Sequence, residues 1–290
     1  MLSPDILLAA IVNGLLTGAV YALIALGLTL VYGVLHIINF AHGAILTAAM
    51  FAVWVAHELF RIDLYIAVFF LTPLFFALGY GVQRLVITPS AHGSDSNILM
   101  VTLGLSIIIE NALLAIFHSD TRSISVPYGF EVLEFGPLFL SLPKVIAFFA
   151  SFAVAALLGF FLVRTDTGKS IRAVAKEKTG AQLVGIDVAH TYAIPFGIGA
   201  ACLAIAACLL MPTFLVNPRI GNAFVLVAFT IVVLGGMGSI AGALWGGLLI
   251  GVVESLSGLW LGESLGQIGI FLIFILVLLF RPTGLFGARS

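Results

Sequence analysis

Long apolar runs broken at short intervals by charges, glycine and proline set the pattern of this chain, and the first runs uncharged from Ile6 to Tyr32. In lipid only helices or closed barrels satisfy the backbone, and the apolar/polar alternation over about ten residues that marks a barrel strand is missing. A helix crossing a bilayer needs about 20 residues. The punctuation therefore predicts spans near 6–31, 41–57, 64–84, 97–117, 144–163, 191–213, 223–237, 240–260 and 267–280. Two of these, 223–237 and 267–280, are short, and the first reads either as a full crossing or as a broken, re-entrant element. No hydrophilic linker divides residues 1–290. The expected fold is one all-α membrane domain, a polytopic bundle of about 8–9 transmembrane helices with short or broken members.

Composition agrees. The 290 residues are 62% hydrophobic and 9% charged, against roughly 45–50% and about 25% in soluble domains. The start, Met1-Leu2-Ser3-Pro4-Asp5, lacks the basic region of a secretory signal, and the run behind it is too long for a signal core, so the first span is expected to be retained. A net charge of −1 gives no reason to expect nucleic acid as a partner. Cys202 and Cys208 lie six apart in one apolar run, too far round a helix for a disulfide, and read as small core residues.

Lysine and arginine set the orientation, because cytoplasmic loops retain positive charge. The segment 164–190 carries Arg164, Lys169, Arg172, Lys176 and Lys178 and is placed in the cytoplasm. Alternation from there puts the N-terminus outside and the C-terminus inside, with Arg84, Arg281 and Arg289 also inside. Arg61, Arg122, Lys144 and Arg219 fall outside, together with Asp5, Glu58, Asp63, Asp120, Glu131, Glu134 and Glu263. The same cytoplasmic segment has a helical pattern of its own. Ile171, Val174, Ala175, Ala181, Leu183 and Val184 alternate with charges, which suggests a short amphipathic helix, a turn around Gly185 and a second short piece. Such an element can lie on the membrane surface or seat in a partner's groove; a merely solvated loop is the plainer alternative.

Glycines spaced by four permit close helix contact. Gly14 and Gly18 have that spacing in the first span, and the later run supplies Gly238, Gly242 and Gly246, then Gly247 and Gly251, with a bend expected at Gly235-Gly236. A phosphate cradle would need a following Gly-Lys-Ser/Thr, and this run has no lysine. Polar groups inside spans are expensive and mark functional candidates. Asn13, Thr17 and Tyr21 share one face of the first span, and a substrate path would further draw on Asn39, His42, Glu110, Asn111 and Glu254. Hydrogen bonding to neighbouring helices is the rival account of these groups. The six histidines show no metal-ligand spacing, and no nucleophile–base set emerges, so neither a metal site nor a catalytic set is expected.

Three blocks carry a resemblance: Gly18 to Gly33 with Ile38-Asn39-Phe40-Ala41-His42-Gly43; Thr167 to Ala175 with Leu183-Val184-Gly185-Ile186-Asp187; and Leu234 to Ile240 with Arg281-Pro282-Thr283-Gly284-Leu285-Phe286-Gly287. Together they resemble the first of the two permeases of branched-chain amino acid ABC importers. The resemblance implies a bacterial inner-membrane subunit that pairs with a second, similar permease, two cytoplasmic ATPases and a periplasmic binding protein. It implies no cofactor on this chain, ATP and Mg²⁺ being used by the ATPases. The loop 164–190 then becomes a coupling element, with Arg172, Ala173, Glu177, Gly185 and Asp187 carrying the contact. Many relatives have glutamate where this chain has Ala44, and some have lysine at the position of Leu226; the superfamily also imports urea, short amides and other small amino or carboxylic acids. An autonomous secondary transporter or channel is the reading of a different class.

Overall fold

The computed structural model describes residues 4–90, 95–136, 138–262, 265–281 and 284–286. Met1, Leu2, Ser3, His92, Glu263 and Arg289, used above for the N-terminus, the histidines and the charge balance, lie outside the described residues, as do Pro282, Thr283 and Gly287 of the terminal block.

In chain order the helices are α1 (Pro4–Leu35), α2 (His42–Phe60) and α3 (Leu64–Val82), the last continued by a π-turn (Gln83–Ile87) and α4 (Thr88–Ser90). Next come α5 (Asp95–Phe117), a hairpin of β1 (Val132–Phe135) and β2 (Leu138–Ser141), and α6 (Leu142–Arg164). Then follow α7 (Asp166–Lys176), α8 (Lys178–Leu183), α9 (Val188–Leu210), α10 (Gly221–Gly235), α11 (Ile240–Leu261) and α12 (Gly266–Phe280). Among the described residues, seven helices are long and apolar enough to cross a membrane: α1, α2, α3 with its continuation, α5, α6, α9 and α11. The apolar helices α10 and α12 have 15 residues each, about 22 Å against a hydrocarbon core of about 30 Å. The hairpin, which pairs Val132 with Ser141 through Phe135 with Leu138, is the departure from an all-helical chain. It sits beyond the end of α5, outside the apolar runs.

Two groups of four helices, α1/α2/α3/α5 and α9/α10/α11/α12, have matching neighbours. The central helix α1 lies along α11 as α9 lies along α3; α1 touches α10 as α9 touches α2; and α5 flanks α2 as α12 flanks α10. One crossing, α6, lies between the two groups, so each helix of the second follows its counterpart by five crossings and runs inverted. Accordingly α1 and α9 run antiparallel, Leu16 and Val20 sharing a crevice with Leu209 and Leu210 while Gly27 meets Gly199. The halves also touch where α2 and α10 begin, Gly43 against Gly221. His42 donates from Nε2 to the carbonyl of Ile24 at 2.9 Å, which sets the start of α2 level with the middle of α1. Both α2 and α10 therefore begin at mid-depth.

The same turn starts each broken helix. Asn39 Oδ1 accepts from Ala41 N and Asn217 Oδ1 accepts from Arg219 N, both at 3.0 Å. Each turn is followed two residues later by its glycine, so Asn39-x-x-x-Gly43 recurs as Asn217-x-x-x-Gly221. An asparagine side chain closing its own turn supplies a hydrogen bond that a chain interrupted inside a membrane would otherwise lack.

Glycine forms the seam between α1 and α11. A Cβ on Gly14 would stand 2.7 Å from the carbonyl oxygen of Gly251, and one on Gly18 would stand 2.6 Å from that of Gly247. The expected ridge splits between two partners: Gly247 and Gly251 face α1, whereas Gly242 packs on Gly235 and Gly246 approaches Ile231, both of α10. Gly236 and Gly238 have φ of +93° and +89° and reverse the chain between α10 and α11. The expected bend is there, and Gly238 meets Gly33 at the far end of α1.

Candidate functional site

A cavity of about 570 Å³ opens between α1, α6 and α11. Asn13, Thr17 and Tyr21 reach it from α1, Lys144 from α6, and Glu254 and Ser255 from α11. The four-residue spacing read from the sequence brings the three α1 side chains to one wall. The glycine seam brings α11 close enough to set Tyr21 beside Glu254, whose carboxyl also feels the Lys144 charge. Asn13 Nδ2 donates to Ala9 O at 3.1 Å, and Ser255 Oγ donates to Ala10 O at 2.7 Å. These groups thus have partners within the chain and a volume beside them. A recess so lined should hold water. Single cysteines at Asn13 and Thr17 are expected to react with a small hydrophilic thiol reagent, against a background of buried Cys202 and Cys208. Inert cysteines there, with one at Ile11 or Leu15 reacting instead, would show that the dry face has been mistaken for the wet one.

The remaining polar residues do not join this cavity. Asn39 and His42 are buried; the first closes the turn ahead of α2 and the second ties that turn to α1, so both are occupied by the broken-helix geometry. Glu110, on α5, accepts from Arg219 Nε at 3.0 Å. Its neighbour Asn111 donates from Nδ2 to Ile107 O at 2.8 Å. One path through all eight residues is incompatible with this placement, because α5 flanks α2 while the cavity lies between α1, α6 and α11. The sequence pattern marks Arg219 only as an outside charge and gives Asn217 no role. The repeated Asn-x-x-x-Gly was the signal that could have found them.

Segment 165–187 forms a compact capped unit at the end of α1. Thr165 Oγ1 accepts from Gly168 N at 3.0 Å and starts α7. Ile171 packs with Leu30 and Val34 of α1 and with Leu158 and Leu162 of α6, while Arg172 and Ala173 face outward. The break between the two short helices falls at Glu177, not at Gly185: Glu177 is extended and its Oε1 accepts from Thr179 N at 3.1 Å, capping α8. Gly185 instead ends α8. With φ of +85° it allows Gly185 N to bond Gln182 O at 3.0 Å and Ile186 N to bond Ala181 O at 3.1 Å, the paired bonds of a Schellman stop. Asp187 Oδ1 then accepts from His190 N at 3.1 Å and opens α9. His190 Nδ1 accepts from Tyr80 Oη at 2.8 Å, and Tyr80 in turn accepts from Arg84 at 2.8 Å. The start of α9 is thereby tied to α3, and the unit itself packs on α1, α6 and α9. Its tip leaves Leu183 and Val184 84% and 77% exposed.

Inverted halves that meet at helices broken in mid-membrane are the architecture of solute transporters, and with a rigid amphipathic unit at one end they define a membrane permease. The chain belongs to the family described as branched-chain amino acid transport system / permease component, whose model matches residues 10–280. It is 35% identical to the high-affinity branched-chain amino acid transport system permease protein BraD of Pseudomonas aeruginosa, over 97% of this chain and 95% of that one. It is 33% identical to LivH of Escherichia coli K12, a permease protein of the same description, over 95% and 94%. Among solved structures, PsaBC from Streptococcus pneumoniae in complex with Fab aligns at a TM-score of 0.47 and 18% identity, over 96% of this chain and 91% of that one.

Proposed function

We propose that this chain is one of two membrane subunits of an ATP-driven importer for leucine, isoleucine and valine. Its companions would be a second, similar permease, two cytoplasmic ATPases that use ATP and Mg²⁺, and a periplasmic binding protein. The N-terminus faces outward, and the C-terminus and residues 164–190 face the cytoplasm of a bacterial inner membrane. One observation carries the coupling role: the 165–187 unit is held by α1, α6 and α9 yet presents Leu183 and Val184 bare at its tip. Large exposed apolar residues on a charged, capped element suit insertion into a partner's groove. A unit fixed to three spans can pass ATPase closure into them as a rigid-body movement. The names of the relatives support the substrate.

Affinity purification in mild detergent is expected to recover a second permease and two ATPases with this chain. Reconstituted with its binding protein, the complex should take up leucine only when supplied with ATP. Uptake by this chain alone, driven by an ion gradient, would overturn the reading in favour of a secondary transporter.

A further inference from the structure

Arg219 and Glu110 form an ion pair where a membrane protein has strong reason not to show one. Glu110 lies seven residues before the end of α5 at Phe117, about 10 Å inside the helical layer. Arg219 precedes by two residues Gly221, whose N–H donates to Thr47 Oγ1 at 3.0 Å. Thr47 is in turn thirteen residues, about 20 Å, short of the end of α2. Yet the Arg219 side chain is 74% exposed, and Asn111 and Asn222 are exposed beside the pair. Hydrocarbon is a poor neighbour for such a face, so it meets water or another polar surface. The repeat makes the arginine more telling. The two asparagine turns match bond for bond, but the residue whose N–H closes the turn is Ala41 in the first half and Arg219 in the second. A charge has been placed in one copy of a turn that does not need it.

We infer that Glu110 and Arg219 form a subsite for a zwitterionic α-amino acid on the transport route; this rests on the importer reading above. The guanidinium takes the carboxylate and Glu110 takes the ammonium as the amino acid inserts between them. The insertion exchanges one pair of opposite charges for two, so no charge is left uncompensated at any stage, which is what a zwitterion needs to enter the apolar layer. A broken helix at the repeat interface is also where transporter folds place their ligands. Asn217, by closing the turn, fixes the backbone from which Arg219 projects.

The test uses the assembled complex in membranes. Single cysteines at Asn111 and Asn222 should be modified by a charged, membrane-impermeant thiol reagent and be protected by leucine-loaded binding protein with ATP. Glu110→Gln and Arg219→Gln should each cut ATP-driven leucine uptake at least tenfold in complexes that still co-purify, and the exchange Glu110→Arg with Arg219→Glu should recover part of it. Absence of labelling at both positions, or uptake within twofold of the unsubstituted complex in both glutamine variants, overturns the subsite. An unsubstituted complex that hydrolyses ATP without moving any amino acid overturns the importer reading, and the subsite with it.

Discussion

Leucine at Gly247 should leave no folded protein to purify. A Cβ at that position would stand 2.6 Å from the Cα and 2.7 Å from the backbone nitrogen of Ala22, and neither backbone atom can swing aside as a side-chain tip would. Overpacking of a tight interior typically costs about 1–3 kcal/mol when side chains can shift. Here the obstacle is the central helix itself, with Gly251 pressed on Gly14 and Gly18 one turn further along. The effect is therefore expected to exceed that range and to appear as loss of a monodisperse peak in detergent. Gly104→Leu is the matched control, because a Cβ on Gly104 meets nothing within 4 Å and a helix-favouring residue replaces glycine. If Gly247→Leu were purified with an unchanged melting temperature, the α1/α11 contact described above would be wrong.

Valine at Gly185 should do the opposite: spare the fold and stop transport. Nothing lies within 4 Å of a Cβ built there, so the objection is conformational, a φ of +85° that a β-branched residue resists. Without that conformation the two bonds that end α8 are lost, and the exposed tip at Leu183 and Val184 no longer holds a fixed angle to α9. ATP-driven uptake is expected to fall by more than tenfold in a complex of normal composition. Asparagine, which tolerates the left-handed region better than other residues, should restore much of it. Wild-type uptake by Gly185→Val would remove the coupling role from this turn.

Most of the spans were legible because burial in lipid writes itself as uninterrupted apolar sequence; observed and expected boundaries agree to within a few residues. The misreadings have physical causes. Helices α1, α2 and α5 stop at His36, Arg61 and His118, non-glycine residues with φ of +56°, +53° and +60°, and such stops carry none of the glycine or asparagine signal by which helix ends are recognised. The conspicuous glycine draws the expected break to Gly185, but a glutamate cap makes the break between α7 and α8. The α1 face could be read because three polar residues at helical spacing in an apolar run are rare. Glu110 stands out as a polar group inside an apolar run, but its partner Arg219 sits in a loop more than a hundred residues away, and no local pattern joins them. The apolar run of the short α10 fits crossing and re-entry equally. The contacts of Gly221 with Gly43 and Thr47 set its start at mid-depth.

An inverted pair of halves poses a problem during synthesis, since two similar segments must enter the same bilayer in opposite senses. Lysine and arginine decide orientation at insertion. Five of the chain's twelve cations cluster in one stretch: Arg164 ends α6, and Lys169, Arg172, Lys176 and Lys178 lie between α6 and α9. Together with the extra crossing made by α6, this cluster sends the second half in the reverse way to the first. Removing α6 would leave each half intact as sequence but turn both the same way up, and the glycines meant to meet across the axis would then never face one another.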